Sequence, residues 1–145
     1  MVTPRGIGPV LAGTSIAALS AALGETLHPE YAPGASCGYV RATALPNGVF
    51  VMVDRDTVVR VDVRTGAARS AEGVGIGDRE ADVLTRYEGR VRVAPNKYTG
   101  PAGHDLVVTT PPDTLHLMLF ETNGRTVLRY RAGRRTAVNL VEGCA

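Results

Sequence analysis

Leu115-His116-Leu117-Met118-Leu119-Phe120-Glu121-Thr122-Asn123-Gly124-Arg125-Thr126-Val127-Leu128-Arg129-Tyr130-Arg131-Ala132 reads as two strands joined by a tight turn. Asn-Gly accepts the left-handed backbone that a short hairpin turn requires, and it is the strongest local hairpin signal. Strands are therefore expected at residues 115–120 and 126–132. On the amino-terminal side, Pro111-Pro112-Asp113 breaks the chain after strands at 90–94 and 106–110. On the carboxy-terminal side, a last strand is expected at 136–141, before Glu142-Gly143-Cys144-Ala145.

Upstream of these strands lies a short helix, Gly77-Asp78-Arg79-Glu80-Ala81-Asp82-Val83-Leu84-Thr85-Arg86-Tyr87-Glu88-Gly89. Asp78 is the expected cap, Glu80 and Asp82 suit the positive end of the helix dipole, and Val83, Leu84 and Tyr87 form the apolar stripe. The same grammar stands 64 residues earlier in Gly13-Thr14-Ser15-Ile16-Ala17-Ala18-Leu19-Ser20-Ala21-Ala22-Leu23-Gly24. There Thr14 or Ser15 caps, Gly24 stops the helix, and Ile16, Leu19 and Leu23 share a face.

Both helices lead into similar strand patterns. After the first come a polar loop at 25–36, a strand at 37–43, a turn at Pro46-Asn47-Gly48, and strands at 49–53 and 57–63 around Asp54-Arg55-Asp56. Asp54 with Thr57-Val58-Val59-Arg60 matches Glu121 with Thr126-Val127-Leu128-Arg129. The expected fold class is α+β: two tandem helix, strand and hairpin repeats building one antiparallel sheet with its helices on one face. The repeats span about 6–66 and 73–141 of a single domain, 1–145. Neither half is large enough to cover its own sheet, so one core must serve both.

The grammar of Gly13-Thr14-Ser15 through Leu19 to Gly24, followed by Cys37, resembles the tandem-repeat unit of the secreted β-lactamase inhibitor proteins. It is also similar to the small outer-membrane assembly lipoproteins that share this helix-then-sheet unit. In those families Gly-Met-Thr opens the helix, Gly closes it and a cysteine follows; here Thr14 stands at the Met position and Asp78-Arg79 replaces it in the second half. The Gly77-Asp78 helix start and the closing Glu142-Gly143-Cys144-Ala145 resemble a group of uncharacterised bacterial envelope proteins. The resemblance implies a sheet with helices on one face and the other face left for partners. It carries no β-lactamase target, because the cysteine pair usual within each repeat is missing.

Composition narrows the function classes. With 44% hydrophobic and 21% charged residues the chain can build a core and is not a disordered one. A net charge of +2 is too small to signal a nucleic-acid partner or a polybasic membrane anchor. Residues 6–24 are uncharged behind Arg5 and invite reading as a signal peptide, but Gly6, Gly8, Pro9 and Gly13 interrupt the run and its pattern recurs in the second half. The run also falls short of the roughly 20 apolar residues of a transmembrane helix. It is read as folded structure, any leader lying upstream of Met1. All basic residues except Lys97 are Arg; codon bias explains that, and so would a face that recognises protein or anionic groups.

Cys37 and Cys144 show no metal-ligand or haem spacing. A disulfide between them would clasp the carboxy terminus to the first half, and it requires an oxidising compartment, hence a periplasmic or secreted protein. Two unpaired buried thiols are the competing reading.

No nucleophile elbow, phosphate loop or zinc-protease motif is present, and no cofactor or metal is expected. Gly6-Ile7-Gly8 and Gly73-Val74-Gly75-Ile76-Gly77 are read as bends into helices rather than dinucleotide fingerprints. The densest reactive cluster is His104-Asp105 with Lys97 and Tyr98, and a small hydrolase centred on Tyr98 and His104 is one alternative. Neighbours on a strand point to opposite faces, which argues against it.

The sheet's second face carries more information. Placing Val59, Val61, Val63, Leu115, Leu117, Leu119, Leu128 and Tyr130 toward the helices sends Arg60, Asp62, His116, Met118, Phe120, Arg129 and Arg131 outward. Phe50 and Met52 join them. Arg, Met and aromatic residues together are the composition of an interface centre; a covering loop such as 25–36 is the bland alternative. The expected function is a non-catalytic exported protein that binds another protein or envelope component through this face. A structural domain of a lipid-anchored envelope protein is a further reading.

Overall fold

Helix α1 (Ile16–Leu23) starts where the Ser15 hydroxyl accepts the Ala18 amide at 3.1 Å, and it stops at Gly24 in the left-handed conformation. Helix α2 (Glu80–Arg86) begins differently from expectation. Its cap residue is Arg79, with no side-chain cap. The Asp78 carboxylate instead accepts the Gly75 amide at 3.0 Å and Arg69 at 2.9 Å, so it ties down the preceding bend. Glu80 and Asp82 occupy the first turn, where the dipole favours anions.

The computed structural model describes residues 1–144, and Ala145 lies outside them. The chain is α+β. Strands β1 (Val2–Thr3), β2 (Gly6–Ile7) and β3 (Val10–Leu11) make a small antiparallel sheet that the sequence did not signal. The main sheet contains β4 (Glu30–Tyr31), β5 (Cys37–Val40), β6 (Val49–Asp54), β7 (Thr57–Val63), β8 (Val91–Pro95), β9 (His104–Thr110), β10 (Asp113–Thr122) and β11 (Val127–Arg134). Its order is β4-β5-β6-β7-β11-β10-β9-β8, antiparallel throughout. That order is symmetrical about the β7–β11 pair.

Hydrogen bonding follows the same symmetry. Val58 donates to the Thr14 carbonyl, and Ile16 to that of Asp56; Val127 donates to Asp78, and Glu80 to Arg125. Each last strand also carries a bulge in the same place. Val53 faces Val58 and Met52 faces Arg60, leaving Val59 over; Thr122 faces Val127 and Glu121 faces Arg129, leaving Leu128 over. In both halves the helix entrance is therefore bonded to the start of the final strand.

One core lies between the sheet and the two longer helices. Leu19, Val83 and Tyr87 pack there with Val51, Val61, Phe120, Tyr130 and Ala132. The Tyr130 ring stacks on Phe120 with centroids 4.9 Å apart. Burying each such side chain contributes on the order of 1.5–3 kcal/mol.

Strand β10 reverses the expected facing. Met118 and Phe120 point to the helices, while Leu117 and Leu119 pack on the second face with Val107 and Val138, and Leu115 stays exposed. The run Leu-Met-Leu-Phe is apolar on both sides, so alternation alone could not choose between the faces. Val59, placed inward by simple alternation, also lies on the second face, because the bulge adds a residue and puts Val59 beside Met52.

The end of the chain also departs from expectation. Residues 136–141 are not a strand. Strand β11 is already paired on both sides, by β7 and β10, so no edge is open beside it. The chain leaves the sheet after Arg134, just past Gly133, where φ is 151° and a Cβ would collide with the Val59 carbonyl. It then forms α3 (Arg135–Val138), which packs across β7, β10 and β11 on the second face. Cys144 reaches Cys37 in a disulfide with the Cα atoms 5.5 Å apart. Among the described residues no helix is long and apolar enough to cross a membrane.

Candidate functional site

The second face of the sheet is divided by the carboxy-terminal clasp. Two arginines from adjacent strands hold the clasp by its backbone. Arg60 Nη1 donates to the carbonyls of Ala137 and Leu140 at 2.8 and 2.9 Å, and Arg131 Nε donates to that of Val138 at 2.6 Å. Both guanidiniums are buried and each keeps a carboxylate: Arg60 pairs with Asp62, and Arg131 with Glu121 at 2.7 Å. Ala137 fills the space over Met52 and Val59, with Cys37, Tyr39 and Cys144 packed at its edge.

Those contacts correct most of the expected binding surface. Arg60, Asp62, Arg131 and Met52 do face away from the longer helices, but the clasp buries them. Met118 and Phe120 belong to the helix-side core and are fully buried. His116 lies at the far end of β10, buried and bonded to Asp113 at 3.0 Å. The covering element is the carboxy-terminal segment rather than the 25–36 loop, which supplies edge strand β4. Phe50 and Arg129 remain at the surface.

Around those two survivors the structure assembles residues that sequence patterning missed. Arg64 lies over Phe50, 4.1 Å from the ring centroid, and over Tyr39 at 4.8 Å; Arg41 covers Phe50 from 5.1 Å. Antiparallel pairing brings them together, since Tyr39 is opposite Met52 and Phe50 is opposite Asp62. Arg41 and Arg64 stand just beyond strand ends, where inward and outward alternation no longer applies. The spacing Tyr39-Val40-Arg41 beside Phe50 and Arg64 was the available signal.

A cleft of about 250 Å³ opens beside this stack, between Tyr39, Arg64 and Arg129 on one wall and Glu142 of the clasp on the other. Its floor is the chain of Arg60, Asp62, Glu121 and Arg131. Arg129 gives Nε to Glu121 at 3.2 Å, and among the described residues its two Nη atoms meet no partner. Tyr39 has its phenol raised, by burial first and then by the Asp62 carboxylate, so it stays a neutral donor. The clasp's turn at Gly143 presses on the Tyr39 hydroxyl with no room for a Cβ.

Beneath the clasp the network continues to β9. Asn96 Nδ2 bridges Asp105 at 2.8 Å and Glu121 at 2.9 Å. Burial pushes the Asp105 carboxyl up, and the nearby Glu121 charge adds to that. Burial acts on Glu121 too, but Asn96 and the guanidiniums of Arg131 and Arg129 outweigh it and hold the carboxyl below its ordinary value. Every buried polar side-chain atom among the described residues finds a partner.

The Tyr98 and His104 pair does not converge. His104 Nδ1 meets Glu80 Oε1 at 2.8 Å on the helix side, and the same oxygen accepts Thr122. Tyr98 instead stands on the second face, lining a hollow with Asp105 and Lys97. Among the described residues no group of three or more His, Cys, Asp or Glu side chains is placed to hold a metal ion. Searches of protein-family models, of curated proteins and of solved structures return no match to the chain.

Proposed function

We propose that this chain is a non-catalytic, exported bacterial protein that binds an acidic segment of another envelope protein on its second sheet face. The observation that carries the reading is the stack of Arg41, Phe50, Arg64 and Tyr39 beside Arg129. Guanidiniums flattened on aromatic rings stay rigid while still offering in-plane donors, which suits bidentate recognition of carboxylates. Rings with Arg at the centre of a patch are also what binding hot spots contain. The disulfide supports an oxidising compartment, periplasmic or secreted. The resemblance to helix-then-sheet binding proteins of the envelope points the same way.

The clasp gives the site its rigidity. Arg60 and Arg131 fix its carbonyls, so the wall that carries Glu142 is anchored at several points before any partner arrives. Pre-ordering of this kind lowers the entropy that binding would otherwise consume.

Affinity capture from envelope extracts tests the reading, comparing wild type with Arg64→Glu/Arg129→Glu and with Arg86→Glu on helix α2. A protein retained by wild type and by the helix variant, but lost from the double variant, is then purified and titrated. Direct binding weakened at least about a hundredfold by the double variant is expected, the scale of losing two charge-assisted contacts. Equal binding by all three proteins would remove this face from consideration.

A further inference from the structure

A second cleft, of about 450 Å³, lies where the small sheet, the start of β10 and the β11–α3 junction meet. Arg5, Arg134, Arg135 and His116 line it together with the apolar walls of Ala12 and Leu115. Arg134 and Arg135 are sequence neighbours that on a continuing strand would point to opposite faces. The turn after Gly133 changes strand into helix between them, so both line the same cleft.

Charge in this cleft is unbalanced. No carboxylate lines it, and the adjoining Asp113 is already occupied: it accepts the amides of Leu115 at 2.9 Å and His116 at 3.2 Å, and meets His116 Nδ1 at 3.0 Å. Arg5 approaches it only at 3.5 Å. Arg135 gives Nε to the Thr114 carbonyl at 2.9 Å and has no carboxylate among the described residues. Arg134 has none there either. Three guanidiniums thus line the cleft, with one spent carboxylate adjoining it and a leucine that is 69% exposed at its side.

We propose that this cleft binds a phosphate monoester with an apolar substituent, the phosphoryl oxygens on Arg134, Arg135 and Arg5 and the substituent against Leu115. A dianionic phosphoryl group matches the excess of two positive charges, which a single carboxylate would leave half uncompensated. Planar donor forks fit its tetrahedral oxygens in pairs. An exposed leucine at the rim gives an apolar ester group a surface that free phosphate cannot use. The site is separate from the one on the second sheet face and stands or falls independently of it.

Titration calorimetry at physiological ionic strength, where exposed charges are screened beyond about 8 Å, provides the test. Phenyl phosphate and inorganic phosphate are the soluble probes, and vesicles of phosphatidylcholine with and without phosphatidic acid are the membrane probe. Wild type is expected to bind phenyl phosphate more tightly than inorganic phosphate. Arg134→Glu/Arg135→Glu, two exposed positions, should weaken that binding at least about tenfold. Leu115→Ala should narrow the gap between the two soluble probes, and Arg64→Glu/Arg129→Glu should change nothing. Binding to phosphatidic acid vesicles alone, lost in the Arg134/Arg135 variant, identifies a lipid headgroup as the source of the phosphoryl group. Absence of binding to every probe overturns the proposal, as does equal binding by wild type and the Arg134/Arg135 variant.

Discussion

Glu121 takes hydrogen bonds from Asn96 and Arg131 while lying almost wholly out of solvent, so its charge is committed to the interior of the second face. Removing that charge leaves the buried Arg131 guanidinium without its counter-ion. Glu121→Gln is therefore expected to cost roughly 3 kcal/mol in urea unfolding, whereas Arg129→Ala, which removes a half-exposed partner, should cost less than about 1 kcal/mol. Asp105, joined to Glu121 through Asn96, behaves oppositely with pH. Its folded carboxyl titrates above its unfolded value, so it costs no stability in acid and becomes destabilising as pH rises through the ordinary carboxylate range, about 4. Glu121, held low, contributes stability above that range and loses it as pH falls. Asp105→Asn should then be at least as stable as wild type at pH 7 and lose stability more steeply on acidification, because the opposing contribution of Asp105 is gone while that of Glu121 remains. Unfolding curves at pH 7 and pH 4 check this.

At the scale of elements, the clasp and strand β10 decide what the second face becomes. Closing a loop across 107 residues is worth about 4–5 kcal/mol in the loop-entropy model, so Cys37→Ser/Cys144→Ser should lower stability by that order and expose residues 135–144 to proteolysis. Leu117→Ala should cost about 2–5 kcal/mol and Leu115→Ala under about 0.5, a contrast that reports directly on which leucines the clasp covers. The hairpin around Asn123-Gly124, the limits of β7 and the stop of α1 at Gly24 were legible from local chemistry, and the disulfide was one of two readings that the two cysteines allowed. The facing of β10 was not, because its apolar residues fall on both sides and the choice depends on Val138, a distant residue with no local signature. Nor was α3: its Thr-Ala-Val run has strand propensity, overridden because no sheet edge is open beside β11.

In the whole molecule, the symmetrical strand order and the paired bulges at Val59 and Leu128 give each half the same frame. The halves differ in what they present outward. Met52 stands where the second half has Glu121, and Asp62 where it has Arg131. That difference lets Ala137 of the clasp pack over Met52 in the first half, whereas Glu121 at the matching position of the second half adds a carboxylate to the cleft. Only part of the proposed surface was legible in the sequence, Phe50 and Arg129, since burial by the clasp is a property of the finished fold. Hydrogen exchange on the chain bound to its captured partner shows which face the partner covers. New protection is expected in peptides covering residues 37–41, 49–54 and 127–131, with α1 and α2 unchanged. Protection confined to the two longer helices, with those strands exchanging as in the free chain, would contradict binding on the second face.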